Sequence, residues 1–306
     1  MGGEFYGGRM ITELRNCPTV LTDEDLSRFR REGYLAFANV LSPEELEGSR
    51  EALRGLTGRL VGGSAADVTY TPPRVKEDGR ATQAKYQFAG GRCFLDLEKG
   101  YDPAGRKVEE VELQIRKYMN FVQESAALEA PVRAGHRMHG VVESLLGREP
   151  ILFQEMALVK PPLIGTEKPW HQDNAYFSVA PLDAVVGVWI ALDDAEVANG
   201  CMHVIPGGHH IGALRHFHGR DCEIVEGRLD TSGAVAVPIP AGGAMFFYGL
   251  LPHETPPNRS PLRRRALQYH FRAATSVVVD EEAYNRVFVE RDGTPASCRA
   301  AARGAG

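Results

Sequence analysis

The chain has 306 residues, 43% of them apolar, with 35 Lys and Arg against 40 Asp and Glu for a net charge of −5. That is enough chain to bury a sizeable core, and the ordinary composition excludes a disordered polypeptide. The acidic balance argues against nucleic acid as a partner, and no run approaches the roughly 20 apolar residues of a membrane helix.

Residues 1–10 are glycine-rich without the apolar stretch of a secretory signal, so a cytoplasmic location is expected. Five cysteines (Cys17, Cys93, Cys201, Cys222, Cys298) are scattered singly, and the odd number and irregular spacing predict reduced thiols.

The first element is a helix with Thr22 as N-cap, acidic residues in its first turn and Gly33 as its stop. Tyr34–Phe37 then reads as a strand. Ser42, Pro43 and Glu45 form a capping box that opens a second helix running to about Leu60. From Val61 to Pro103 Gly and Pro punctuate the chain and no period persists, which predicts a lid or substrate loop over 61–103. Val111, Ile115, Met119 and Val122 share a helical stripe, predicting a helix from Val108 to about Ala127, and another follows from Pro131 to Leu146.

The second half changes character. Ile151–Lys160, Val185–Leu192, Met202–Ile205, Val235–Pro238, Ala244–Tyr248 and Arg265–Ala273 read as short strands. Helices first and strands later predict one α+β domain spanning 1–306 with an antiparallel jelly-roll or sandwich core. Residues 1–17 and 291–306 are expected to be flexible ends.

The chemistry begins at His171-Gln172-Asp173. If His171 begins a strand, residues i and i+2 face the same way, so the imidazole and carboxylate converge. Two His and one carboxylate on one face of a metal leave three positions open, which suits a redox-active Fe(II) binding a chelating cosubstrate and O2. Pro252-His253-Glu254-Thr255 supplies the third ligand, His253, at a strand end, and Arg264 lies eleven residues beyond it. An antiparallel return brings that guanidinium beside the metal, where it can clamp a dianion such as 2-oxoglutarate, with the Thr255 hydroxyl adding a hydrogen bond.

At this point the sequence resembles the phytanoyl-CoA dioxygenase family of Fe(II)/2-oxoglutarate oxygenases. The likeness runs from about Leu21 to Ala273: Gly33-Tyr34-Leu35, the Leu41–Leu46 segment, Phe153-Gln154, Lys160-Pro161-Pro162 and Trp170–Asp173. It continues through Asn199–His209, with Gly208 where the family commonly has Ser, to His253 and Asn258–Ser260 with Arg264. The resemblance implies a double-stranded β-helix, a cupin-like jelly roll with N-terminal and flanking helices. It assigns His171, Asp173 and His253 to iron, and Arg264 with Thr255 to the distal carboxylate of 2-oxoglutarate. It also places Gln154 and Trp189 in the cosubstrate pocket, with Asn174 and Lys168 nearby.

Halogenating relatives have Gly or Ala at the position of Asp173, so a carboxylate here favours oxygenation. The expected reaction is hydroxylation of an unactivated C–H bond of a small molecule, in natural-product tailoring. Desaturation, epoxidation and an acyl-CoA thioester substrate remain open within the class, and a zinc hydrolase or a non-catalytic cupin-like binder outside it. Met156, Tyr176, Phe177, His216 and Tyr248 are the candidate substrate contacts. His209, His210, His216 and His218 are read as a solvent-exposed loop cluster, and His270 as a satisfied strand residue.

Overall fold

The computed structural model describes residues 14–289, apart from 78, 80 and 220, together with 298 and 299. The expected flexible ends therefore lie largely outside the described residues. Residues 14–17 are tied down, with Asn16 bridged to Ala38 and the Cys17 N–H donating to the Ala38 carbonyl.

In chain order the elements open with α1 (Asp23–Glu32), β1 (Tyr34–Phe37), α2 (Pro43–Val61), β2 (Val68–Thr71), β3 (Lys85–Phe88) and β4 (Phe94–Leu97). Next come α3 (Val108–Glu112), β5 (Ile115–Met119), α4 (Ala126–Glu129), α5 (Arg137–Leu146), β6 (Pro150–Lys160), β7 (Lys168–His171) and β8 (Val179–Ala180). Strands then dominate: β9 (Val185–Ala191), β10 (Met202–Val204), β11 (His216–His218), β12 (Cys222–Ile224), β13 (Val235–Val237) and β14 (Ala244–Tyr248). The chain closes with β15 (His253–Thr255), β16 (Arg264–Ala273), β17 (Val277–Val278) and α6 (Glu281–Phe288).

The caps behave as their chemistry requires. The Thr22 hydroxyl accepts from the Asp25 N–H while the Asp25 carboxylate accepts from the Thr22 N–H, and Ser42 and Glu45 repeat the exchange at α2. Gly33 closes α1 at φ +85°, a left-handed conformation that glycine adopts without steric cost.

Two antiparallel sheets form the core, one of nine strands in the order β1-β14-β9-β16-β6-β5-β4-β3-β2 and one of four in the order β13-β10-β15-β7. The α+β jelly roll expected from the sequence is therefore present. Alternation assigns the faces. Val186, Val188 and Ile190 of β9 and Leu267, Tyr269 and Phe271 of β16 pack under the helices against Phe29, Leu53, Leu56 and Val141. Their neighbours Trp189, Ala191 and Ala266 face the small sheet and meet Met202, Val204 and Val237. Gly187 leaves room for the Phe247 ring, which a Cβ there would approach to 2.5 Å.

Three expectations are corrected. The helix read over 108–127 ends at Glu112, and Ile115–Met119 is a strand between β4 and β6. The apolar stripe is buried as expected, through sheet pairing that overrides local propensity. Residues 61–103, read as irregular, contribute β2, β3 and β4, paired in register to the sheet edge. Cys222 and Cys298 are disulfide-bonded, bringing together positions 76 residues apart, while Cys17, Cys93 and Cys201 are buried free thiols. Among the described residues no helix is long and apolar enough to cross a membrane.

One ion pair fixes the start of β16. Asp193 accepts from the Arg265 backbone N–H at 2.9 Å, from Nε at 2.9 Å and from Nη2 at 2.8 Å. Burial pushes the Asp193 carboxyl up, and the Arg265 hydrogen bonds and charge outweigh it, holding the group below its ordinary 3.8. A depressed carboxyl contributes stability above its unfolded value and loses it as the pH falls through the folded one. Asp193→Asn should therefore cost roughly 1–3 kcal/mol in urea unfolding at pH 7, with the gap to wild type closing below about pH 4. A gap that stays constant down to pH 2 would contradict the assignment.

Candidate metal centre

β7 and β15 are antiparallel neighbours with His171 opposite His253. His171 ends its strand, where the sequence reading had it beginning one. Gln172 stays extended at φ −115°, ψ 130°, so the i, i+2 convergence survives, and Asp173 opens the short 3-10 helix that follows. The Asp173 Oδ1 lies 3.2 Å from His171 Nε2 and 3.7 Å from His253 Nε2. Adjacent ligands on one ion are spaced roughly 3 Å apart. All three side chains are buried, and among the described residues this is the group of His, Cys, Asp and Glu able to hold a metal.

Each imidazole is fixed by its own backbone. His171 Nδ1 lies 2.8 Å from the Pro169 carbonyl and His253 Nδ1 lies 2.9 Å from that of Leu251. A carbonyl can only accept, so each Nδ1 carries a proton, which leaves Nε2 as the ring nitrogen that can face a metal. Burial and the neighbouring His171 push His253 down to about 3, against the pull of Asp173, so its ring is neutral at physiological pH.

Asp173 Oδ2 is held by partners that the sequence reading missed. His270 Nε2 approaches it at 2.7 Å and Gln268 Nε2 donates at 3.0 Å. Burial would raise this carboxyl, and His253 and His270 outweigh it and hold it well below the usual range. The signal was available in period two. Arg264, Gln268 and His270 fall on one face of a strand whose opposite face packs Leu267, Tyr269 and Phe271 into the core, and a row of buried polar side chains needs partners.

A cavity of about 500 Å³ opens beside the triad. Arg264 is 1% exposed, stacks its guanidinium 5.1 Å from the Trp189 ring, and leaves Nε and Nη1 without partners among the described residues. Burial lowers the guanidinium to about 10, so it stays cationic at neutral pH. Trp189 Nε1 and Gln154 Oε1 are likewise buried and unpartnered. Thr255, Met156 and Tyr176 also line this space. Burial, then Asp221 and Asp173, hold the Tyr176 phenol protonated beside Lys168, whose ammonium bonds both it and Asp221.

Four expected contacts do not reach the cavity. Asn174 ties the loop through Leu182 and Gly249, so it acts within the backbone rather than on a cosubstrate. Phe177 packs with Val179 and Val185. Tyr248 stacks on His209 and Phe29. His216, read as exposed, is buried with Nε2 accepting from the Gln172 N–H at 2.9 Å, and burial pushes it down to about 3.

A two-histidine, one-carboxylate centre at the open end of an antiparallel jelly roll, with a buried unpaired arginine in the adjoining cavity, defines the non-haem iron oxygenase class. The chain belongs to the phytanoyl-CoA dioxygenase family, whose model matches residues 29–266. It is an oxidoreductase, and the cofactors of its class are Fe(II), 2-oxoglutarate and O2. It is 28% identical over 278 residues to phytanoyl-CoA dioxygenase domain-containing protein 1 of Danio rerio, spanning 86% of this chain and 94% of that one. Its fold is similar to that of EvdO2 from Micromonospora carbonacea var. aurantiaca, solved with 2-oxoglutarate (TM-score 0.59, 23% identity, 86% and 94% of the two chains). It is also similar to the carbocyclase SnoK from nogalamycin biosynthesis (TM-score 0.56, 21% identity, 87% and 90%).

Removing an outer partner of a metal ligand generally costs 10–100-fold in affinity. His270→Ala should therefore weaken Fe(II) binding by roughly that factor in an anaerobic competition titration while the fold is retained. Wild-type affinity in that variant would show that Asp173 does not depend on His270.

Proposed function

We propose that this chain hydroxylates an unactivated C–H bond of a small molecule in natural-product tailoring, using the triad His171, Asp173 and His253 and 2-oxoglutarate held by Arg264. The observation that carries the reading is the buried, unpaired guanidinium in the same cavity as the triad. Burying a cation without a counter-charge costs several kcal/mol, and a dicarboxylate beside the metal removes that cost. The orphaned Trp189 Nε1 and Gln154 Oε1 are further groups that a polar ligand would satisfy. A zinc hydrolase gives Arg264 no such task. The natural-product context draws support from the fold neighbour SnoK, which comes from nogalamycin biosynthesis.

When bound, Fe(II) and 2-oxoglutarate supply the oxidant for the reaction, with O2 consumed and CO2 and succinate released. The protein's part is placement. His171 and His253 would offer Nε2, their Nδ1 atoms being tied to the backbone, and Asp173 would offer Oδ1 because Oδ2 is already engaged. Arg264, with the Thr255 hydroxyl, would take the distal carboxylate. Trp189, fully buried against Arg264, keeps water from that pair, which strengthens it. Tyr176, its ring 6.2 Å from that of His171, walls the side of the metal centre.

Fe(II)-dependent release of succinate and CO2 from 2-oxoglutarate is the direct assay. Truncating one partner of a buried charge pair costs about 2–5 kcal/mol, so Arg264→Met should raise the 2-oxoglutarate concentration for half-saturation by roughly a hundredfold or more. Fe(II) affinity should change little. Turnover with zinc and without 2-oxoglutarate would replace this reading with the hydrolase.

A further inference from the structure

The face of the nine-stranded sheet that carries Arg264 continues across β6, β5, β4 and β3. In register, Ala266 lies opposite Leu158, Leu158 opposite Lys117, Lys117 opposite Asp96, and Asp96 opposite Lys85. Apart from Ala266, every member of that row lines the cavity. The far end is charged and incompletely paired. Asp96 is 5% exposed, Lys117 Nζ reaches its Oδ2 at 3.2 Å, and its Oδ1 has no partner among the described residues. The Lys85 ammonium sits 3.8 Å over the Phe94 ring, a contact that stabilises a cation without neutralising it.

Beyond Arg264, three further cations of the cavity have partners. Lys168 and Arg116 share Asp221, Arg116 also meets Glu98, and Lys160 donates to the carbonyls of Thr166, Thr255 and Pro256. In all, seven Lys and Arg line the cavity against three Asp, in a chain whose net charge is −5. Fe(II) and a dianionic cosubstrate cancel one another, so they leave this excess in place.

We propose that Lys85 and Asp96 form a substrate subsite for a carboxylate with an adjacent N–H or O–H donor, as in an acylated amino acid or a hydroxy acid. The carboxylate takes Lys85, and the donor takes the orphaned Oδ1 of Asp96. β3 lies three strands from β6, and strands are spaced about 4.8 Å apart, so the anchored head group sits roughly 14 Å across the sheet from β6. The substrate is therefore long, held at its head by β3 and β4 and oxidised towards its other end. The proposal rests on the oxygenase reading and names its substrate class.

The test is anaerobic calorimetric binding of three matched probes to protein loaded with Fe(II) and 2-oxoglutarate. N-octanoylglycine carries both features, its methyl ester lacks the charge, and N-octanoylsarcosine lacks the N–H. The acid is expected to bind about tenfold tighter than either analogue. Lys85→Gln should abolish the preference over the ester and keep that over the sarcosine. Asp96→Asn should do the reverse. Equal affinity for acid and ester, no binding of the acid, or a preference unchanged in Lys85→Gln overturns the proposal. The charge-transfer absorbance of Fe(II) with 2-oxoglutarate separates the two failures. A protein that shows it without discriminating among the probes loses the subsite alone, and one that never shows it loses the oxygenase reading as well.

Discussion

Asp173 is 3% exposed and ionised, and a carboxylate buried that deeply persists only with partners on every lone pair. Its two oxygens divide the work. Oδ1 faces the histidines of β7 and β15 in the small sheet, and Oδ2 faces His270 and Gln268 of β16 in the large one. One side chain thus fastens the two sheets together at the end where they open. With Oδ2 engaged, a single oxygen is left for a metal, which keeps the remaining coordination positions available to a chelating cosubstrate and O2.

The centre was legible in the sequence because its ligands fall on short-range patterns. His171 and Asp173 are two apart, and Arg264 follows His253 by eleven residues, although the segment between them crosses from β15 in the small sheet to β16 in the large one rather than returning antiparallel within one sheet. The i, i+2 argument held even though His171 ends its strand, since the extended backbone of Gln172 preserves the alternation. His270 and Gln268 were missed because their role is long-range, with 97 and 95 residues separating them from Asp173. The same limit hid β5. Val111, Ile115, Met119 and Val122 suit a helical stripe, and only the flanking strands β4 and β6 decide for a strand. The Cys222–Cys298 pairing likewise depends on where the end of the chain packs, which spacing alone does not encode.

Buried polar atoms without a partner among the described residues occur in several places, Ser49 Oγ, Trp170 Nε1 and His203 Nδ1 among them, but one group of them shares a single space. Arg264 Nε and Nη1, Trp189 Nε1, Gln154 Oε1 and Asp96 Oδ1 all belong to side chains of one cavity. A folded protein rarely leaves buried donors and acceptors idle, and idle groups facing a shared space are better explained by a ligand than by separate defects. Their chemistry is ordered along the sheet. The guanidinium and indole lie near the triad, and the carboxylate and ammonium lie at the far strands, so one surface presents two polar stations with Met156, Leu158 and Met119 between them.

The reading of 61–103 as a lid placed its substrate contacts on a mobile loop, whereas the strands give them a fixed address. Lys85, Asp96 and Lys117 face the cavity because their neighbours Tyr86, Leu95 and Tyr118 face the helices, where Leu95 and Tyr118 are fully or nearly fully buried. The Tyr118 hydroxyl is further pinned at 2.6 Å to that of Thr57 in α2. A slip of one residue would exchange the two faces, forcing two lysines and an aspartate into the helix-packed core and three apolar side chains into the cavity. The register of β3, β4 and β5 is thus enforced from behind by hydrophobic packing. The positions of the charged groups in front are fixed by the same sheet that holds Arg264 and His270, so the spacing between the metal centre and the far wall is a property of strand pairing rather than of loop closure.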